Sequence, residues 1–209
     1  MNFNKHSELV GKHAFLSASK HSWINYDDDK LYSAYMNSFS QVVGTLLHEY
    51  ASKRINFRMK MRRNDKDSVL FYLLDKGVPS YVIDIDRYFP NVMAYVNDAI
   101  GYKMATEQVL YYSDNCFGTV DSISFMNGVL RIHDLKTGLA QASMDQLLVY
   151  AALFFLEYAE YKPRDTKVEC RIYQSETVLV HEPEVAEISD LMKKIVKFDK
   201  RIAKIKIGG

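Results

Sequence analysis

The stretch that decides the fold is Gly118-Thr119-Val120-Asp121-Ser122-Ile123-Ser124-Phe125-Met126-Asn127-Gly128-Val129-Leu130-Arg131-Ile132-His133-Asp134-Leu135-Lys136-Thr137-Gly138. Asn127-Gly128 stands between two runs rich in β-formers. An Asn-Gly pair in that setting is the strongest short-range hairpin signal, because both turn positions need φ above zero. A two-residue turn here makes Met126 face Val129. Stepping outward pair by pair, Asp121 faces Asp134 and Thr119 faces Lys136. Directly opposed side chains lie about 5 Å apart at Cβ, and like charges there repel. Two such carboxylates want a proton, a lysine or a divalent cation between them. Lys136 lies two residues beyond Asp134 and shares its face of the strand. Gly118, Thr137 and Gly138 are small and leave room for a substrate backbone. An ion pair on a solvated ribbon is the plain alternative, but it does not require two carboxylates.

Working outward, apolar residues recur at helical spacing from Leu31 to about Arg58, from Ser68 to Lys76 and from Asn91 to Met104. Pro79–Pro90 has no clear period. Glu107–Tyr112, Phe117–Phe125 and Val129–Lys136 read as strands. Met144–Glu160 reads as an apolar helix, Val168–Tyr173 and Val178–His181 as strands, and Glu184–Lys206 as a closing helix. This order predicts an α/β fold with a central mixed β-sheet flanked by helices. One domain is expected over residues 1–209. It has a helical N-terminal part (1–104), a sheet-containing core (105–182) and a C-terminal helix (183–209).

Composition narrows the function. The 209 residues carry 27 Lys and Arg against 26 Asp and Glu. A uniformly basic nucleic-acid coat is thereby excluded, though a local basic face is not. The two cysteines, Cys116 and Cys170, are too few for a four-thiolate metal site or a disulfide scaffold. The N-terminus is polar, and the longest apolar run, Leu147–Leu156, is about half a membrane span. A soluble, cytoplasmic protein with no membrane partner is expected.

Gly118-x-x-Asp121, Asp134-x-Lys136-Thr137-Gly138 and Gln146-x-x-x-Tyr150 together resemble the RecB-like branch of the PD-(D/E)XK nuclease superfamily. Upstream, Gly44-x-x-x-His48 and Leu16-Ser17-Ala18-Ser19 follow the same family's order. The resemblance covers residues 16–150. It implies a restriction-endonuclease-like core and a Mg²⁺- or Mn²⁺-dependent deoxyribonuclease. His48, Asp121, Asp134 and the backbone carbonyl of Leu135 would be metal ligands, with Glu107 a weaker candidate. Lys136 would be the catalytic lysine, and Gln146 and Tyr150 would orient it or the DNA. The cysteines that hold an iron–sulfur cluster in some relatives are missing, so no cluster is expected. The partner would be DNA, linear or single-stranded, and a recombination or repair protein is a further candidate. If phage-encoded, the protein would act in the host cytoplasm. Exonuclease action is the leading expectation. An endonuclease of the same chemistry and a non-catalytic DNA-binding module are the alternatives.

Basic residues cluster twice. Lys53, Arg54, Arg58, Arg62 and Arg63, with Thr137 beside the catalytic motif, are candidates for tracking phosphates. The C-terminal cluster from Lys193 to Lys206 has no assignment from sequence.

Overall fold

A computed structural model describes residues 4–138 and 140–208. Met1, Asn2 and Phe3, part of the polar N-terminus, lie outside the described residues, as do Leu139 and Gly209, the last residue of the expected domain. The chain divides into two compact units, Met1–Val42 and Val43–Gly209.

The first unit holds two 3₁₀ segments, Ser7–Leu9 and Ala18–Asn25, and the opening turns of helix α1 (Asp28–Asn56). Asp28 and Asp29 sit in the first turn of α1, where the helix dipole favours negative charge. Edge-to-face ring contacts join Phe15 to Tyr35 and Tyr35 to Phe39.

The second unit is a five-stranded sheet with helices on both faces. Its strands are β1 (Ala105–Ser113), β2 (Cys116–Met126), β3 (Val129–Leu135), β4 (Lys167–Gln174) and β5 (Thr177–His181), in spatial order β1-β2-β3-β4-β5. All neighbours are antiparallel except β3 and β4, which are parallel. A parallel pair needs a crossover, and helix α4 (Asp145–Glu157) supplies it. Helix α5 (Val185–Gly208) packs on α4. The other face of the sheet carries α3 (Ile85–Gly101), with α1 and α2 (Lys66–Asp75) sharing its apolar core. Among the described residues no helix is long and apolar enough to cross a membrane.

Two apolar cores follow from strand alternation. Leu130, Ile132, Cys170 and Ile172 face α4, which buries Leu147, Ala151, Leu153 and Phe155. Each large side chain so buried stabilises the fold by about 2 kcal/mol. On the opposite face, Leu135 and Tyr173 meet Leu47, Ile55, Val92 and Val96.

The hairpin register is the one read from the turn. Ser122 pairs with His133, Ile123 with Ile132 and Met126 with Val129. Asn127 and Gly128 both take positive φ, 53° and 74°, as the tight turn demands. Helix α3 departs from the sequence reading. It starts at Ile85 rather than Asn91, because Asp84 caps it by accepting the Arg87 amide. Pro90 lies inside it. Proline's fixed φ suits a helix, and the price is one missing backbone bond.

Candidate metal and catalytic site

The candidate residues converge at the end of the β2–β3 hairpin. The β2–β3 ladder is paired as far as Ser122 and His133; Asp121 and Asp134 are the next residues on the two strands, close enough for the Asp121 charge to act on Asp134. A change of sidedness sits at the same level. Thr106 and Ser122 reach the α1–α3 side, where they touch Ser52 and Met104. Val120 and Leu110 instead join the α4 core. Both strands thus switch faces around Glu107 and Asp121. Glu107 takes the left-handed φ of 53° that such a switch requires. No sequence pattern announced this kink; positive φ at a glutamate has no signature.

His48, on α1, reaches across to Asp121: Nδ1 lies 3.2 Å from Oδ2. The same carboxylate oxygen accepts the Leu135 amide at 3.2 Å. Gly44, one helical turn before His48, lets α1 approach the Thr137 turn. A Cβ there would sit 2.8 Å from Thr137 Oγ1. The spacing Gly44-x-x-x-His48 therefore has a steric reason: the glycine brings the helix close and the histidine uses the closeness.

Asp134 is buried, and Lys136 Nζ stands 3.1 Å from its Oδ2. The geometry falls short of a hydrogen bond, so this buried oxygen has no hydrogen-bond partner among the described residues. Lys136 Nζ instead donates to Gln146 Oε1 at 2.9 Å. Gln146 Nε2 donates to the Tyr150 hydroxyl at 3.2 Å, and that hydroxyl donates to the Thr119 carbonyl at 2.6 Å. Gly118 makes room for the ring, since a Cβ there would meet Tyr150 Cε1 at 3.0 Å. Lys136 is thereby tied through α4 to strand β2.

The two carboxylates are driven apart electrostatically. Burial raises the Asp134 pKa and the neighbouring Asp121 charge raises it further, to about 6 despite Lys136. Burial also opposes ionisation of Asp121. There it is outweighed by the hydrogen bond and charge of His48 and by the Leu135 amide, and the pKa ends below the usual value. Burial alone would lower His48, but Asp121 reverses this and raises it. The buried Tyr95 hydroxyl beneath the site feels Asp121, Asp134 and Glu107, and its pKa is raised by desolvation and by all three charges. Glu107 thus shares the electrostatic neighbourhood, although its side chain is exposed.

Among the described residues no three His, Cys, Asp or Glu side chains gather as a closed metal-binding group. The chemistry of the donor set nevertheless suits a hard cation. One ionised carboxylate, one buried carboxylate oxygen that faces the Lys136 ammonium without a hydrogen bond and one imidazole share a site of mixed burial.

The basic stretch that begins in the last turn of α1 divides. Arg54 is committed to the fold: it pairs with Asp65 at 3.3 Å, donates to the Lys60 carbonyl and lies over Tyr50. Lys53 pairs with Glu49 at 2.5 Å. Arg58, Arg62 and Arg63 are exposed. Sequence reading missed Arg87 on α3, which donates to the Tyr88 hydroxyl and to the Thr137 carbonyl at 3.3 Å, holding the turn beside Lys136. It also missed Gln174. Its amide donates to the carbonyls of Gly138 and Ala140 and accepts the Ala142 amide, which fixes the loop leading to α4. A single polar residue ending a strand carries no pattern that would have marked it.

Residues 13–205 match the model of a family described as a protein of unknown function (DUF2800). No curated protein matches the chain.

Proposed function

We propose that this chain, which belongs to the DUF2800 family, is a divalent-metal-dependent deoxyribonuclease with a RecB-like PD-(D/E)XK core. The observation that carries the reading is the meeting of Asp121 and Asp134 beside His48 and Lys136, with one buried Asp134 oxygen left without a hydrogen bond. The ordered motifs from Leu16 to Tyr150 support it, as does a five-stranded mixed sheet flanked by helices.

His48, Asp121, Asp134 and the Leu135 carbonyl would hold a Mg²⁺ or Mn²⁺ ion. When bound, such an ion polarises a phosphoryl oxygen and lowers the pKa of a water. The protein's own groups do the rest. Lys136 places a fixed positive charge where negative charge grows on the phosphoryl group. Gln146 and Tyr150 hold that ammonium in place, so it does not reorganise during the reaction. Asp121, kept ionised by His48 and the Leu135 amide, supplies a permanent negative ligand. Water oxygen bonds to phosphorus, the bond to the 3′ oxygen breaks, and 5′-phosphate and 3′-hydroxyl ends remain.

The substrate in this reading is linear or single-stranded DNA, met in bacterial or phage recombination and repair, and the setting is the cytoplasm. Arg58, Arg62 and Arg63 are the exposed candidates for phosphate contact. The alternatives are an endonuclease of the same chemistry and a non-catalytic DNA-binding module of the same fold. End-labelled linear DNA and covalently closed circles, incubated with Mg²⁺, Mn²⁺ or chelator, separate the readings. An exonuclease degrades only linear DNA and only with metal. Nicked or linearised circles mean an endonuclease. No cleavage of either substrate under any metal rejects the enzyme.

A further inference from the structure

A groove of about 840 Å³ runs between the C-terminal end of α4 and helix α5. Ten residues separate Gln146 from Leu156 along α4, so the groove opens roughly 15 Å from the candidate site. Its floor is apolar: Leu156, Met192 and Val196 are half-buried in it. Its rim is basic: Lys197, Lys200, Arg201 and Lys204 are exposed along it, and no acidic residue lines it. Lys193 is compensated by Asp190 at 2.8 Å. The other four are in no ion pair among the described residues.

We propose that this groove receives an acidic amphipathic helix from a partner protein. Its apolar side chains would lie on Leu156, Met192 and Val196, and its carboxylates would meet Lys197, Lys200, Arg201 and Lys204. Three features select this occupant. The lining runs along α5 from Ser189 to Lys204, about 22 Å at helical rise, which is the length of a four-turn helix. Uncompensated positive charge around an apolar floor is the complement of an acidic helix with an apolar stripe. Phosphates would satisfy the rim and leave the floor unfilled. A second copy meeting through α5 would set like charges against each other across a two-fold axis.

The test uses the full chain and fluorescence anisotropy. The probe is a labelled synthetic peptide with leucine at positions i, i+3, i+4 and i+7 and glutamate between. The controls are a scrambled peptide of the same composition and labelled single- and double-stranded oligonucleotides. The amphipathic peptide binds saturably and the scrambled one at least ~10-fold more weakly. The Lys200→Glu/Arg201→Glu double variant weakens peptide binding by ~10-fold or more, and Val196→Asp does likewise. Thermal melts confirm that the variants fold, and the surface double variant carries the test if Val196→Asp does not. Equal binding of both peptides overturns the proposal. So does peptide binding indifferent to the double variant, or oligonucleotide binding that alone responds to it. The peptide measurement involves no DNA cleavage, so its failure and the failure of the nuclease reading are separate results.

Discussion

Replacing His133 by asparagine should remove a large part of the acid sensitivity of this fold. His133 is fully buried on the α3 side of β3, between the rings of Tyr102 and Tyr173. Tyr173 donates its hydroxyl proton to Asp98 at 2.7 Å, so His133 Nδ1, 3.1 Å away, is left to donate to the tyrosine oxygen. Nε2 is buried with no hydrogen-bond partner among the described residues, the arrangement of a neutral imidazole. Desolvation, with the positive charges of Arg171 and Arg131, pushes the pKa from its ordinary 6.5 down to about 3. The unfolded imidazole takes up a proton as pH falls through 6.5, and the folded one does not until far lower. Stability is therefore intact above that range and is lost as pH drops through it. Between pH 7 and pH 5 the loss from this one group is about 2 kcal/mol. The value barely depends on the folded pKa, because pH 5 lies well above it. Urea unfolding at both pH values, on wild type and His133→Asn, isolates the effect. The fall in stability should be smaller in the variant by about 2 kcal/mol. Equal falls in the two proteins would refute the buried neutral imidazole.

Other consequences follow from the same geometry. Asp134→Asn should stabilise the metal-free fold at pH 7 by about 1–3 kcal/mol, since it removes a buried charge facing Asp121, and should abolish cleavage. Chemical denaturation and a cleavage assay on one preparation read both outcomes. Because the Asp134 pKa lies near 6, metal-free wild type should gain stability as pH falls through that value once the His133 contribution is removed, and a pH series on His133→Asn shows it. Gly44→Ala should push the Thr137 turn away and reduce cleavage at least ~10-fold, although alanine favours the helix by about 1 kcal/mol; activity and melting temperature measured together check it. Arg171→Met breaks contacts to Asp98, Glu169 and the Tyr102 hydroxyl and should cost about 3 kcal/mol in urea unfolding.

What could be read from the sequence was what repeats or turns. Asn127-Gly128 has one good conformation, and counting outward from it set the partner of every residue down to Ser122 and His133. The long helices and the five strands showed as changes of period. What could not be read lacks a period. The polar network under the sheet joins Arg131, His133, Glu169 and Arg171 to Asp98 and Tyr102, residues far apart in the chain. In sequence these look like the solvent-facing half of a strand; in the fold they lie beneath α3. The kink at Glu107 and the early start of α3 at Asp84 were hidden for a related reason. Tertiary packing decided the kink against local preference, whereas the start of α3 was set by the local Asp84 cap, which the stretch without a clear period concealed. Gln146 and Tyr150 were legible only as a spacing of four, and their link to Lys136 needed the crossover geometry of α4.

The proposed chemistry requires a cation held between Asp121 and Asp134. Calorimetric titration of the metal-free protein with Mn²⁺, on wild type, Asp121→Ala and Asp134→Asn, tests it most directly. Saturable binding to wild type that is lost in both variants is the predicted result. No binding to wild type, or binding untouched by either substitution, would contradict it.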